Sequence, residues 1–237
     1  MEERVTTVAI KQPTILTLPA RAAAVAWMNA FSASGQDEER PALYRSLSLE
    51  FFPGGAHLVG CDGTVLFRTW VPRSDGAAWP EMDEAPESAV VVIDVDGFGL
   101  GFMRSLLRAT NDDVHLHESL TFTVSASDNE AAPALGTEFL TQRLVLRACG
   151  QRLDLRLFEA AYPDWRRLRL GMETIERLES LTVAPRMFAL LGKLKGVSAI
   201  DLEFYGASKH VAFVGRGECE VRGLVMPMRK PEQPIER

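Results

Sequence analysis

A chain of 237 residues, 46% of them hydrophobic, carries enough apolar mass for one or two packed domains and excludes a disordered tail protein. A net charge of -6 excludes a protein that coats nucleic acid over its whole surface, though not a ring with an acidic outside and a basic lining. No apolar run approaches a bilayer span, and Met1-Glu2-Glu3-Arg4 has no signal-peptide core, so a cytoplasmic protein with no membrane partner is expected.

The elements read as three copies of one pattern: a short strand, a helix, then several strands. The first copy opens with a strand at residues 14–18. Pro19 then starts a helix, where a missing N–H costs nothing, and the Ala-rich stretch 20–31 favours helix strongly. Residues 35–39 break the pattern. Leu47 and Leu49 alternate within a strand predicted over 44–51. Pro53-Gly54-Gly55 is a turn, 56–61 a strand, Asp62-Gly63 a hairpin signal, and 65–71 a further strand. Residues 72–86 form a polar connector.

The second copy begins with the apolar run 89–95, typical of a buried strand. A helix is predicted over 97–110, with Phe98, Phe102, Leu106 and Ala109 on one face, followed by strands at 119–125, 138–147 and 152–159. A charged linker covers 166–178. The third copy has a strand at 180–183, a helix from Pro185 to Leu194 stopped by Gly196, and strands at 199–205, 210–214 and 218–226. Residues 230–237 form a tail rich in Pro and Glu.

Motifs for chemistry are sparse. Asp94-Val95-Asp96-Gly97 begins like a calcium loop, but Phe98, Leu100 and Phe102 interrupt the ligand series, and Asp96 reads as a helix cap. Gly97, Gly99 and Gly101 lack the spacing of a phosphate-binding loop. His115-Leu116-His117 places two imidazoles on one face of a predicted strand with no third ligand, so a solvated strand is expected there. Cys61, Cys149 and Cys219 are scattered and read as reduced, structural thiols. No nucleophile–base arrangement has recognisable local context, so neither an enzyme nor a cofactor is expected. Arg21, Arg104, Arg108, Arg186, Lys193 and Lys195 lie on or beside the predicted helices. Ordinary solvated faces explain them as well as a DNA-facing stripe does.

Two distant segments carry a more specific signal: Tyr162-Pro163-Asp164-Trp165-Arg166-Arg167-Leu168, and Leu224-Val225-Met226-Pro227-Met228-Arg229. Together with Arg40-Pro41-Ala42-Leu43 and Leu58-Val59-Gly60-Cys61-Asp62-Gly63, they resemble the bacterial DNA polymerase III beta subunit, the sliding-clamp family. The resemblance implies an α+β DNA-clamp fold of three strand-helix-strands units, with helices on one face of antiparallel sheets. It implies one complete domain at 13–165 (units 13–72 and 86–165), a linker at 166–179, a half domain at 180–229 and a tail at 230–237.

In that family the matching segments line one shallow pocket for partner peptides. Here the implied lining is Cys61, Gly63, Leu66, Pro163, Arg167, Leu168, Leu224, Met226, Pro227 and Met228. The family's usual Thr-Asp-Gly-His-Arg-Leu appears as Cys61-Asp62-Gly63-Thr64-Val65-Leu66, which keeps the turn and the leucine and loses the His-Arg pair. The implied partners are double-stranded DNA held topologically, polymerases or repair proteins bearing short clamp-binding peptides, a clamp loader, and further copies of this chain. A family ring needs twelve units and this chain supplies three, so a tetramer is favoured over a trimer or dimer. The half domain is expected to leave a helix face of Met187, Leu190, Leu191 and Leu194 wet in a monomer. A non-ring adaptor or inhibitor that binds the same peptides is the alternative.

Overall fold

The computed structural model describes residues 14–35, 41–79, 89–94, 97–111, 117–126, 142–158, 162, 184–205 and 210–226. The first unit is β1 (Thr14–Pro19), α1 (Ala20–Ala33), β2 (Ser46–Phe52), β3 (Gly55–Cys61) and β4 (Val65–Pro72). The second is β5 (Ala89–Asp94), α2 (Gly97–Ala109), β6 (Ser119–Ala126), β7 (Gln142–Ala148) and β8 (Gln151–Phe158). The third contains α3 (Pro185–Leu191), β9 (Val197–Phe204), β10 (Val211–Gly217) and β11 (Val221–Val225).

All eleven described strands join one sheet in the order β1-β6-β7-β8-β5-β2-β3-β4-β11-β10-β9, and every pairing is antiparallel. The first two units exchange their leading strands. β1 lies against β6 of the second unit, and β5 lies against β2 of the first. This reciprocal exchange fuses the two units around one core: Trp27 of α1 and Met103 of α2 are fully buried with Leu47, Leu58, Phe122 and Leu146 from the strands. The Ala-rich composition of α1 permits a close approach to the sheet. A Cβ on Gly60 would lie 1.8 Å from the carbonyl oxygen of Ala30, so only glycine fits beneath the helix.

The third unit builds a second core on the far side of β4. Phe67 of β4 meets Phe213 of β10 edge to face at 5.2 Å, with Val65, Val221 and Val225 beside them and Met187, Leu191 and Leu194 above. The expected wet helix face is therefore corrected. Met187, Leu191 and Leu194 are buried against β4, β10, β11 and Ala33 of α1, because the third unit docks on the first within the same chain. The exposed large apolar residue on α3 is Phe188, at 55%.

A buried polar clasp fixes this docking. The side chain of Asn29 on α1 accepts from the Lys195 backbone N–H at 2.7 Å and donates to the Lys195 carbonyl at 3.1 Å. Arg21 adds two contacts of 3.2 Å to Glu218 in the β10–β11 loop.

The elements differ from the sequence expectation at several places. Pro41 opens a 3₁₀ turn at Ala42–Arg45, with Tyr44 N–H bonded to the Pro41 carbonyl at 2.9 Å, so β2 starts only at Ser46. α3 ends at Leu191 rather than Leu194, because Gly192 caps it and Gly196, at φ 66°, turns the chain into β9. β11 starts at Val221, since Glu218 N–H bonds the Gly196 carbonyl at 2.8 Å inside a bend. His117 lies in a turn before β6 rather than on a strand; His115 and Leu116 fall outside the described residues. So do Asp96, the expected strand at 180–183, the linker 166–179 and the tail 230–237.

Candidate functional site

The hairpin between β3 and β4 is built by its own side chains. Gly63 takes φ 87°, the left-handed region that favours glycine. Asp62 Oδ1 accepts from Thr64 N–H at 2.8 Å, from Thr64 Oγ1 at 2.7 Å and from Val65 N–H at 2.8 Å. Thr64, which stands where the resemblance expects histidine, is thus engaged within the turn. This is an Asx turn, and it presents Leu66 as the first outward-facing residue of β4.

β11 runs antiparallel to β4 with Leu224 opposite Leu66 and Val225 opposite Val65, and Met226 N–H continues the ladder to the Thr64 carbonyl at 2.9 Å. Residues opposite each other in an antiparallel pair share a face. Val65, Phe67, Val221 and Val225 face the helices, so Leu66, Arg68, Arg222 and Leu224 face outward. A groove of about 290 Å³ lies on this outer face, lined by Leu66 and Leu224 together with Ala212 and Val214 of β10 and the arginines Arg68 and Arg222.

The other long segment enters through Tyr162, which packs against the cluster of Val59, Cys61 and Leu66 and donates its hydroxyl to the Ser46 carbonyl at 3.4 Å. Burial pushes the Tyr162 phenol well above its usual range, with the nearby Cys61 and Glu50 charges acting in the same direction and a backbone hydrogen bond to Cys61 opposing them. The folded state therefore holds this proton more tightly than the unfolded one. Its contribution to stability is full below the ordinary tyrosine value of about 10 and is lost as pH rises from there through the folded-state value. Tyr162→Phe should flatten that alkaline loss while leaving neutral-pH melting nearly unchanged. Thermal melts from pH 8 to 11 on both proteins measure this, and equal alkaline losses would show that Tyr162 does not set the limb.

Of the expected pocket residues, Cys61, Gly63, Leu66, Leu224 and Met226 come together at this ladder. Cys61, Leu66 and Leu224 are buried, whereas Gly63 and Met226 are exposed. Pro163, Arg167, Leu168, Pro227 and Met228 lie outside the described residues. Sequence reasoning missed Tyr162 as a packing residue and missed Arg68, Ala212, Val214 and Arg222. The period-2 alternation of β4 and β11 could have placed Arg68 and Arg222 beside the leucines.

Among the residues expected to face DNA, Arg104 and Arg108 are exposed one turn apart on α2, and Arg186, Lys193 and Lys195 are exposed on and after α3. Arg21 is bound to Glu218 and to Asn111 at the end of α2. All three cysteines are thiols, and burial pushes Cys149 and Cys219 up from their ordinary value, with Glu118 and Glu218 adding to the rise. Among the described residues no cluster of three metal-ligating side chains occurs, and no helix is long and apolar enough to cross a membrane.

No protein-family model matches the sequence, and no curated protein matches it. Solved structures do. A DNA polymerase sliding clamp from Pseudomonas aeruginosa superposes with a TM-score of 0.57 at 12% identity, covering 97% of this chain and 68% of that one. A protein from Eubacterium rectale described as a DNA polymerase III beta subunit gives 0.60 at 10% identity, covering 96% and 67%. The chain has the sliding-clamp fold. The beta chain of DNA polymerase III from Streptococcus pneumoniae adds a TM-score of 0.52 at 14% identity over 97% and 68%. The likeness, an α+β arrangement, spans about two thirds of each of those chains.

Proposed function

We propose that this clamp-fold chain is a processivity factor for DNA replication or repair. On this reading several copies encircle DNA and tether a polymerase or repair protein through a peptide held at the β4–β11 junction. Residues 13–165 form one clamp-like domain of two units, 166–179 a linker and 180–229 a half domain. The exposed basic residues of α2 and α3 supply the DNA-facing side, without sequence readout. The chain acts as a tether and not as an enzyme.

The observation that carries this reading is the meeting of chain-distant segments: Leu66 opposite Leu224, with Tyr162, next to Pro163, packed on Leu66. Leu66 and Leu224 border an outward groove whose lining mixes apolar and charged side chains. On this reading Met226 and Met228 would supply flexible, polarisable side chains that adapt to different anchors, and Leu168, Pro163, Arg167 and Pro227 would complete the walls. A fluorescein-labelled peptide of the glutamine-leucine-phenylalanine type should bind there. Truncating Met226 and Met228 together to Ala should weaken binding at least about tenfold, because central anchors dominate such interfaces. A polarisation titration measures it, and unchanged affinity would remove the groove from consideration.

A further inference from the structure

Two rows of side chains cross the outer face of the sheet where β4, β11 and β10 lie side by side. One row is Leu66–Leu224–Ala212. The next, two residues along each strand, is Arg68–Arg222–Val214. Arg68 and Arg222 are thus directly opposite each other on one face, an arrangement of like charges that weakens a strand pair. Leu66 and Leu224 occupy the same relation one row away, and all four line the same groove.

The groove carries a cluster of charged side chains. Its lining includes Arg68, Arg216 and Arg222 against Glu203 and Glu220, while the chain as a whole carries a charge of -6. Arg222 Nε contacts Glu220 at 2.6 Å and Arg216 Nε contacts Asp201 at 2.7 Å. Both pairs are solvent-exposed, and exposed pairs of this kind hold their partners weakly. They exchange readily for a better-placed carboxylate, since a guanidinium offers several donors to an anion.

We propose that the Arg68–Arg222 pair recognises an acidic side chain of the partner peptide, two positions beyond the apolar anchor seated on Leu66 and Leu224. The proposal rests on the peptide-site reading above. Alternate residues of an extended strand are roughly 6–7 Å apart, and an extended peptide has the same repeat. A side chain two positions from the anchor therefore falls over the next row, where the two guanidinium groups lie. The carboxylate would relieve the repulsion between the arginines at the moment of binding, so apolar anchor and charge act together. This gives the chain a selectivity that the two leucines alone do not supply: anchors followed by Glu or Asp are favoured, and anchors followed by Lys are disfavoured.

The test uses two fluorescein-labelled peptides with amidated C-termini. Both carry Gln-Leu-Phe; one has Glu and the other Gln at the second position after the phenylalanine. The Glu peptide should bind about five- to tenfold more tightly at low ionic strength, and the advantage should shrink as salt is raised. Arg68→Gln and Arg222→Gln should each bring the two peptides level, and a Glu preference that persists in both variants would overturn the proposal. Arg222 also contacts Glu220, so thermal melts of both variants accompany the titrations and separate recognition from folding. If both peptides bind the parent equally, the charge inference is wrong and the apolar site stands. If neither binds, both fail. Competition by a short DNA duplex that is lost in the Arg68→Gln variant would overturn the proposal in favour of nucleic acid at this face.

Discussion

Gly223→Ala should be the most damaging small substitution in the second core, costing about 3 kcal/mol. Gly223 is the middle residue of a cross-strand row, opposite Phe67 on one side and Phe213 on the other. Its missing side chain lets those two rings meet edge to face. A Cβ there would lie 2.3 Å from the Leu66 carbonyl oxygen and 2.3 Å from the Phe213 ring. The ring would have to leave its position or β11 would have to draw away from β4. The melting temperature should fall by roughly 6–12 °C for a chain of this size, and peptide affinity should fall with it, since the Leu66–Leu224 wall would part. Gly101→Ala on α2 provides the opposite case. Gly101 is exposed in the helix and an added Cβ meets nothing within 4 Å, so the variant should gain up to about 1 kcal/mol. Thermal melts of both variants check the pair, and a Gly223→Ala protein that melts with the parent would refute the packing argument.

The second large effect concerns mass. A ring of twelve units built from chains of three needs four copies, so light scattering coupled to size exclusion should find a multiple of 26.2 kDa, with the tetramer expected. The drive for assembly is not the α3 face, which the same chain already covers. On the ring reading it would lie at the two ends of the sheet, where β1 and β9 each have one described neighbour and where Ile15 and Phe204 are 44% and 36% exposed. Open edges with apolar side chains favour strand-to-strand association. A closed ring should also remain on circular DNA and slide off linear DNA, with weak, salt-sensitive affinity for a short duplex. A monomer of 26.2 kDa at micromolar concentration would instead favour the adaptor, which needs the groove but no ring.

Most strands and all three helices were legible in the sequence, because alternation in β2 and β4, the Ala run of α1 and the Pro185 helix start are local signals. Boundaries failed where a glycine or proline acted through its neighbours, as at Pro41 and Gly192. The two leucines of the groove were legible only through a family resemblance, since no local pattern pairs residue 66 with residue 224. The docking of α3 was not legible at all. It depends on Asn29, a mid-helix polar residue whose buried bonds to Lys195 have no sequence signature, and on β4 offering its helix-side residues Val65 and Phe67 and its free edge at once. The two arginines were not singled out, because their opposition exists only in the register of the sheet.

Among the described strands, the β4–β11 ladder is the one backbone seam between the third unit and the rest. Closing a seam between segments so far apart in the chain costs loop entropy that local contacts do not return. The third unit is therefore placed to open as a separate cooperative block before the chain unfolds globally. A partner lying across Leu66 and Leu224 touches both sides of the seam, so it holds shut the element that forms its own site. At a hundredfold excess over its dissociation constant, such a ligand adds about 2.7 kcal/mol to the closed state. Amide protons of β9, β10 and β11 would exchange more slowly in the loaded protein, while those of β6 and β7 would keep their rate. Cargo and scaffold would then be mutually stabilising, and an empty clamp would be the form most readily opened at this seam.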